Sequence, residues 1–189
     1  ALCILSAINV GVIKDLNDLE ELCELAVRAL EEIIDYQAYP IKAAEISTKA
    51  RRSLGIGYIG LAHYLAKHYV GYGDKKALKI VHELTEAFQY YLIQASMNLA
   101  QEKGKCEYFE RTKYADGKMP IDHYKEDLDE VCSTTLKLNW EKLRKQVKQF
   151  GMRNSTLSAQ MPSESSSVVS NATNGIEPPR GFLSVKKSK

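Results

Sequence analysis

Two stretches at opposite ends of the 189-residue chain carry residue types that could do chemistry. Near the start, Cys3 stands in the apolar run ALCILSA. A thiol there is either a small buried hydrophobe or a redox group, and spacing alone does not separate the two. Near the other end, Pro162-Ser163-Glu164-Ser165-Ser166-Ser167 follows a strand-like stretch and opens a helix through Val168, Val169 and Asn171. Free backbone N–H groups at such a start attract anions, and neighbouring hydroxyls can complete the coordination of a phosphate. Ordinary N-capping by serine accounts for the same spacing. An ionised Glu164 would have to point away from a bound anion.

Three further patterns invite a functional reading. Gly55-Ile56-Gly57-Tyr58-Ile59-Gly60 satisfies G-x-G-x-x-G letter for letter. A dinucleotide fingerprint must follow a buried strand, however, whereas residues 45–53 are polar, charged and helix-like. The glycines are therefore expected to give flexible packing at the start of a helix over 59–67. Adjacent Tyr90 and Tyr91 could relay a radical, but Tyr91 falls on an apolar stripe and the pair reads as core packing with polar tips. Cys3, Cys23, Cys106 and Cys132 contain no C-x-x-C pair, and His63, His68, His82 and His123 show neither H-E-x-x-H nor clustering with cysteine. No metal site is expected.

The elements that must position these residues follow from periodicity. Residues 1–13, apolar with Ser6 and Asn9 interrupting, suit a buried strand and its exit. Asn17 and Glu20 have capping-box spacing before a helix whose Leu19, Leu22, Leu25, Ala26, Ala29, Leu30, Ile33 and Ile34 repeat at helical intervals, up to a break at Pro40. A long helix is predicted over 75–103, with Leu78, Val81, Leu84, Phe88, Tyr91, Leu92, Ala95 and Leu99 on one stripe and Gly104 at its end. A shorter helix is predicted over 121–131 and another over 140–150, stopped by Gly151. Residues 155–160 alternate in the period of a half-buried strand closed by Pro162, and 182–185 suit one more short strand. Strands at both ends with helices between them indicate α/β architecture.

Composition narrows the function classes. A chain of this length that is 44% hydrophobic can bury one sizeable core. Its net charge of +2, with both signs interspersed, offers no field for a nucleic-acid backbone, and the basic end at Lys186, Lys187 and Lys189 is short. No run of about 18 apolar residues spans a bilayer, and no leader pattern opens the chain. With scattered cysteines, this points to a cytoplasmic, reducing setting without membrane or nucleic-acid partners.

Taken together, the blocks ALCILSAINVG (1–11), RALEEIIDYQ (28–37), RRSLGIG (51–57), RNSTLSA (153–159), MPSESSS (161–167) and SNATNGIEPPRG (170–181) resemble the large subunit of class I ribonucleoside-diphosphate reductases. The match runs from end to end. The resemblance implies part of a ten-stranded α/β barrel, residues 1–189 being a partial barrel domain truncated at both ends. It implies chemistry in which a thiyl radical removes the 3′ hydrogen of the ribose, the 2′ hydroxyl leaves as water and a cysteine pair supplies two electrons. Cys3 resembles one member of that pair. Pro162, Ser163, Glu164, Ser165 and Ser166 resemble the loop holding the substrate diphosphate, with Ser165 where many relatives have threonine.

The radical cysteine with its neighbouring Asn and Glu, and the second reductant cysteine, would precede Ala1. The paired radical-path tyrosines and a cysteine tail would follow Lys189, so the chain alone is expected to be inactive. The family implies a radical from a separate metal-containing small subunit, electrons from thioredoxin or glutaredoxin, a large-subunit homodimer and no cofactor bound by these residues. The alternative is a non-catalytic α/β module binding nucleotide phosphates or a partner protein through residues 162–167.

Overall fold

The fold is that of a computed structural model, which describes residues 2–132, 135–181 and 183. Its centre is a small parallel sheet. Strand β1 (Ile4–Asn9) pairs with β2 (Leu54–Ile59) in the register Ile4 to Leu54 through Asn9 to Ile59. On the other side of β2 runs the extended segment 155–160. It accepts the Leu54 N–H at Thr156 O (3.0 Å) and the Ile56 N–H at Leu157 O (2.8 Å), and returns the Ala159 N–H to Ile56 O (3.1 Å). Only Ser158 forms a ladder bridge, so the expected strand is a loosely paired third member. Among the described residues the sheet has two ladder strands and does not close. Of the strand expected over 182–185, only Leu183 is described and it is exposed. The other residues of that stretch, and the basic end at 186–189, lie outside the described residues.

The two faces of the sheet are unlike. Ile4, Ile8, Leu54, Ile56 and Tyr58, alternating along the strands, join a core with helices α1 (Asp18–Tyr36) and α4 (Lys75–Lys103). Tyr58 meets Phe88 edge-on, ring centroids 5.2 Å apart, and its hydroxyl lies 3.2 Å from Thr85 Oγ1. Helix α2 (Lys42–Arg51) returns the chain to β2, and α3 (Leu61–Lys67) leads from it. Helix α5 (Trp140–Phe150) docks on α4 through Glu86, whose Oε1 accepts the Lys137 and Leu138 N–H groups at 2.9 and 3.0 Å and Trp140 Nε1 at 3.1 Å. Gly151, at φ +80°, ends it.

Several expectations are corrected. The glycine-rich hexad lies in a strand, with Gly55 and Gly57 inside β2 and only Gly60 at the entry of α3. Asn17 makes no side-chain cap; Asp15 Oδ1 accepts the Asn17 N–H at 2.6 Å instead, and Asp18 Oδ2 accepts the Lys14 N–H at 2.8 Å. The buried seam of α1 runs through Leu19, Cys23, Val27, Leu30, Glu31 and Ile34, leaving Leu25 and Ile33 exposed. The helix expected over 121–131 is two 3₁₀ turns, Pro120–His123 and Glu126–Glu130, because charged residues there leave no continuous apolar stripe for an α-helix to bury.

The acid in that seam organises the turns around the sheet. Glu31, 1% exposed, accepts from three side chains at once. Arg52 Nε and Arg153 Nε reach Oε1, the latter at 2.6 Å, and Asn154 Nδ2 reaches Oε2 at 2.7 Å. Asn154 also donates to Arg52 O at 3.0 Å and accepts from Ser96 Oγ of α4 at 2.8 Å. Arg52 itself sits in left-handed backbone, φ +50°, where α2 stops and β2 begins. One carboxylate thus fixes the entries of β2 and of segment 155–160. Removing it would take the buried carboxylate from Arg52, Arg153 and Asn154 at once, leaving Arg52 with half-exposed Asp35 and Arg153 with backbone carbonyls, so Glu31→Ala is expected to cost about 3–5 kcal/mol. Asp35→Ala, which removes a carboxylate that also pairs with Arg52 but is 54% exposed, should cost less than about 1 kcal/mol. Urea unfolding of both variants checks this, equal losses speaking against the network.

Candidate active site

Cys3 lies immediately before β1, exposed and free of any disulfide. Its Sγ has only a weak contact with Ile4 O at 3.9 Å, and partial desolvation beside the sheet raises its pKa. Cys23 is buried in α1 with Sγ 3.8 Å from Phe88 O, and burial pushes its thiol up to about 12.

The glycines explain what shares the face with Cys3. A Cβ at Gly55 would sit 2.9 Å from Cys3 Sγ and 2.6 Å from Leu5 Cδ2. At Gly57 it would sit 2.4 Å from Ala159 O and 3.1 Å from Met161 Sδ. Residues two apart on a strand point the same way, so the thiol and the residue preceding Pro162 lie over one face of β2, about 7 Å apart along it. This is the face away from α1 and α4, and Leu5 on it is 55% exposed. Gly60, at φ +83°, makes room for Asn9 Oδ1, which would lie 2.5 Å from a Cβ there.

The serine turn is then fastened at the C-terminal ends of the strands. Ser163 precedes α6 (Glu164–Val169); it is buried, and its Oγ is bonded to Asn174 Oδ1 at 3.3 Å rather than capping the helix. Pro162, Glu164, Ser165 and Ser166 are exposed. The 170–175 loop that follows is clamped by Asn9 Nδ2 donating to Ser170 O (3.3 Å), Gly60 N to Thr173 O (2.9 Å) and Leu61 N to Gly175 O (3.4 Å). Ligands of open α/β sheets gather beyond the carboxyl ends of the strands, and the turn lies there. Residues 162–166 line none of the cavities of about 420, 470 and 500 Å³; Pro162, Glu164, Ser165 and Ser166 lie on open surface, and Ser163 is buried beneath them.

Sequence reasoning did not find Asn9 or Glu31 as positioning residues. Their signals were present: an amide at a strand exit, and an acid at a helical position flanked by Val27, Leu30 and Ile34. Among the described residues no three His, Cys, Asp or Glu side chains gather as metal ligands would, and no helix is long and apolar enough to cross a membrane.

A mixed α/β layer with an exposed thiol at one end of its small sheet and a hydroxyl-rich turn at the other describes the site; the comparisons supply the family. The family model described as ribonucleotide reductase, barrel domain, matches residues 1–189, and the chain belongs to that family. It is 59% identical over its whole length to the ribonucleoside-diphosphate reductase subunit alpha of Buchnera aphidicola subsp. Schizaphis graminum and to that of Haemophilus influenzae. To ribonucleoside-diphosphate reductase 1 subunit alpha of Escherichia coli it is 57% identical over 82% of the chain and 20% of that protein. The chain spans about a quarter of the length of the first two relatives.

Gly57→Ala is expected to push 159–161 off β2 at a cost of about 1–3 kcal/mol. The Ala159 amide, now bonded to Ile56 O, should exchange its hydrogen faster while the Leu54 amide stays protected. Unchanged exchange at Ala159 would show that the close approach does not hold the segment.

Proposed function

We propose that the chain is part of the large, catalytic subunit of a ribonucleoside-diphosphate reductase, its sheet completed to a ten-stranded barrel by residues of the longer protein. The observation that carries this reading is the placement of Cys3 and the segment leading to Pro162 over the same glycine-lined face. Family membership supports it, and so do the outer edges of β1 and of 155–160, which are open to further strands.

In this reading Cys3 is one of two thiols that reduce the ribose. The 2′ hydroxyl leaves as water, a hydrogen takes its place at that carbon, and the two thiols, giving up two protons and two electrons, become a disulfide. Ser165 and Ser166, with the first N–H groups of α6, hold the diphosphate, and the bond from Ser163 to Asn174 holds the turn to its anchoring loop. Glu164 stays on the open side of the turn. The radical comes from a separate metal-containing subunit, thioredoxin or glutaredoxin restores the dithiol, and two copies of the complete subunit associate. The setting is the cytoplasm.

The test is Cys3→Ser in the complete subunit with an external dithiol present. Abstraction of the 3′ hydrogen should survive while reduction at the 2′ position fails. Normal turnover would leave Cys3 as a residue of the strand entry and nothing more. In the same protein Ser165→Ala should raise the diphosphate substrate's Kd about tenfold, the loss of one hydrogen bond to a charged group.

A further inference from the structure

Asn9 is the last residue of β1, and its carboxamide has partners on two different elements. Its Oδ1 accepts the Gly11 N–H at 3.1 Å and so caps a 3₁₀ turn, Val10–Val12. Its Nδ2 donates to Ser170 O, the carbonyl that ends α6, at 3.3 Å. The partners fix which end of the amide is which, because a backbone N–H requires an acceptor and a carbonyl a donor. No other side chain of this length offers one of each. An aspartate presents two acceptors and would turn a charged oxygen on Ser170 O.

The near side of this bridge is held firmly. Val10 and Gly11 are buried, and Lys67 of α3 donates through Nζ to Gly11 O at 3.2 Å and to Ile13 O at 2.8 Å. The far side is weaker. Helix α6 has six residues, fewer than an isolated helix needs to hold itself, and against the described residues it buries only Ser167. Its orientation therefore rests on contacts at its ends, among them Ser163 with Asn174 at one and Asn9 with Ser170 at the other. These contacts lie within the chain and do not depend on what else packs against the sheet. Ser165 is about 8 Å along the helix from Ser170, so a tilt of about 10° at that end moves its hydroxyl by about 1 Å, enough to break a hydrogen bond.

We propose that Asn9 is a positioning residue for the diphosphate of the ribonucleotide substrate. It sets the angle of α6 from the strand that Cys3 precedes, and thereby places Ser165 and Ser166. Asn9 itself makes no contact with substrate. The proposal rests on the reading of residues 162–166 as the diphosphate holder.

Steady-state kinetics of the complete holoenzyme test it. Asn9→Asp keeps the acceptor for the Gly11 N–H and removes the donor to Ser170 O. The KM for the diphosphate substrate should rise about tenfold with kcat within about twofold, the pattern of binding lost equally from ground and transition states. Combined with Ser165→Ala, it should raise KM by less than the product of the two single effects, since both loosen one grip. Asn9→Ser, whose hydroxyl still accepts from Gly11 but is too short to reach Ser170 O, should show the same rise and serves if the aspartate variant does not fold. A folded variant with normal KM, beside a Ser165→Ala enzyme whose KM is raised, would overturn the proposal and leave the diphosphate reading standing, as would strictly multiplicative effects. Unchanged KM in Ser165→Ala would overturn the reading and the proposal with it. A loss confined to kcat, or failure of both Asn9 variants to fold, would make Asn9 a structural residue of the strand exit and nothing more.

Discussion

The arrangement depends on one buried carboxylate. Glu31 enters the core on a helix face that is otherwise apolar, and a charge there is tolerable only if its oxygens are filled by donors. The donors come from Arg52, Arg153 and Asn154, at the entries of the two extended segments that flank and form the centre of the sheet. The electrostatic requirement of a single side chain therefore sets where β2 starts and where segment 155–160 comes alongside it. RRSLGIG and RNSTLSA, separated by about a hundred residues, meet because each contributes donors to the same acid.

From that anchor the geometry of the site follows in steps. Fixing the two segments side by side brings the Ala159 carbonyl so close to β2 that only glycine fits at 57, while at 55 the Leu5 and Cys3 side chains press closest. The same absence of side chains leaves room for the Cys3 thiol at the entry of β1. The chain then turns at Pro162 and is captured at the far end of the strands by Asn9 and the backbone of Gly60 and Leu61. Thiol and serine turn are thus held by opposite ends of one short sheet, with every link between them a backbone hydrogen bond, a glycine contact or an amide bridge.

Much of this is legible in the sequence, and the exceptions have physical causes. The long helix 75–103, the helix 140–150 and the first strand announce themselves because each buries a periodic stripe and ends at glycine or at a polar exit. The mixed α/β character is also legible, and the candidates at 3 and 162–166 come from the resemblance of whole blocks. The glycine hexad misleads because a strand that is covered on both faces and approached closely by neighbours looks, in one dimension, like a flexible turn. The seam of α1 is displaced from the most apolar positions because Glu31 must face inward, which hydrophobic periodicity cannot register. The 121–131 stretch has enough apolar residues to suggest a helix, yet its charges belong to local contacts such as Tyr124 with Asp129 and Asp122 with Arg144.

The central claim is that Cys3 is a working thiol on the glycine face rather than a residue of the core. The most direct measurement is disulfide mapping by mass spectrometry of the complete subunit, quenched after a single turnover without external reductant. The account predicts the Cys3 peptide linked to a cysteine that lies outside these 189 residues, in proportion to deoxyribonucleotide formed, with Cys23 and Cys106 remaining thiols. Product formed while Cys3 stays a free thiol would contradict it.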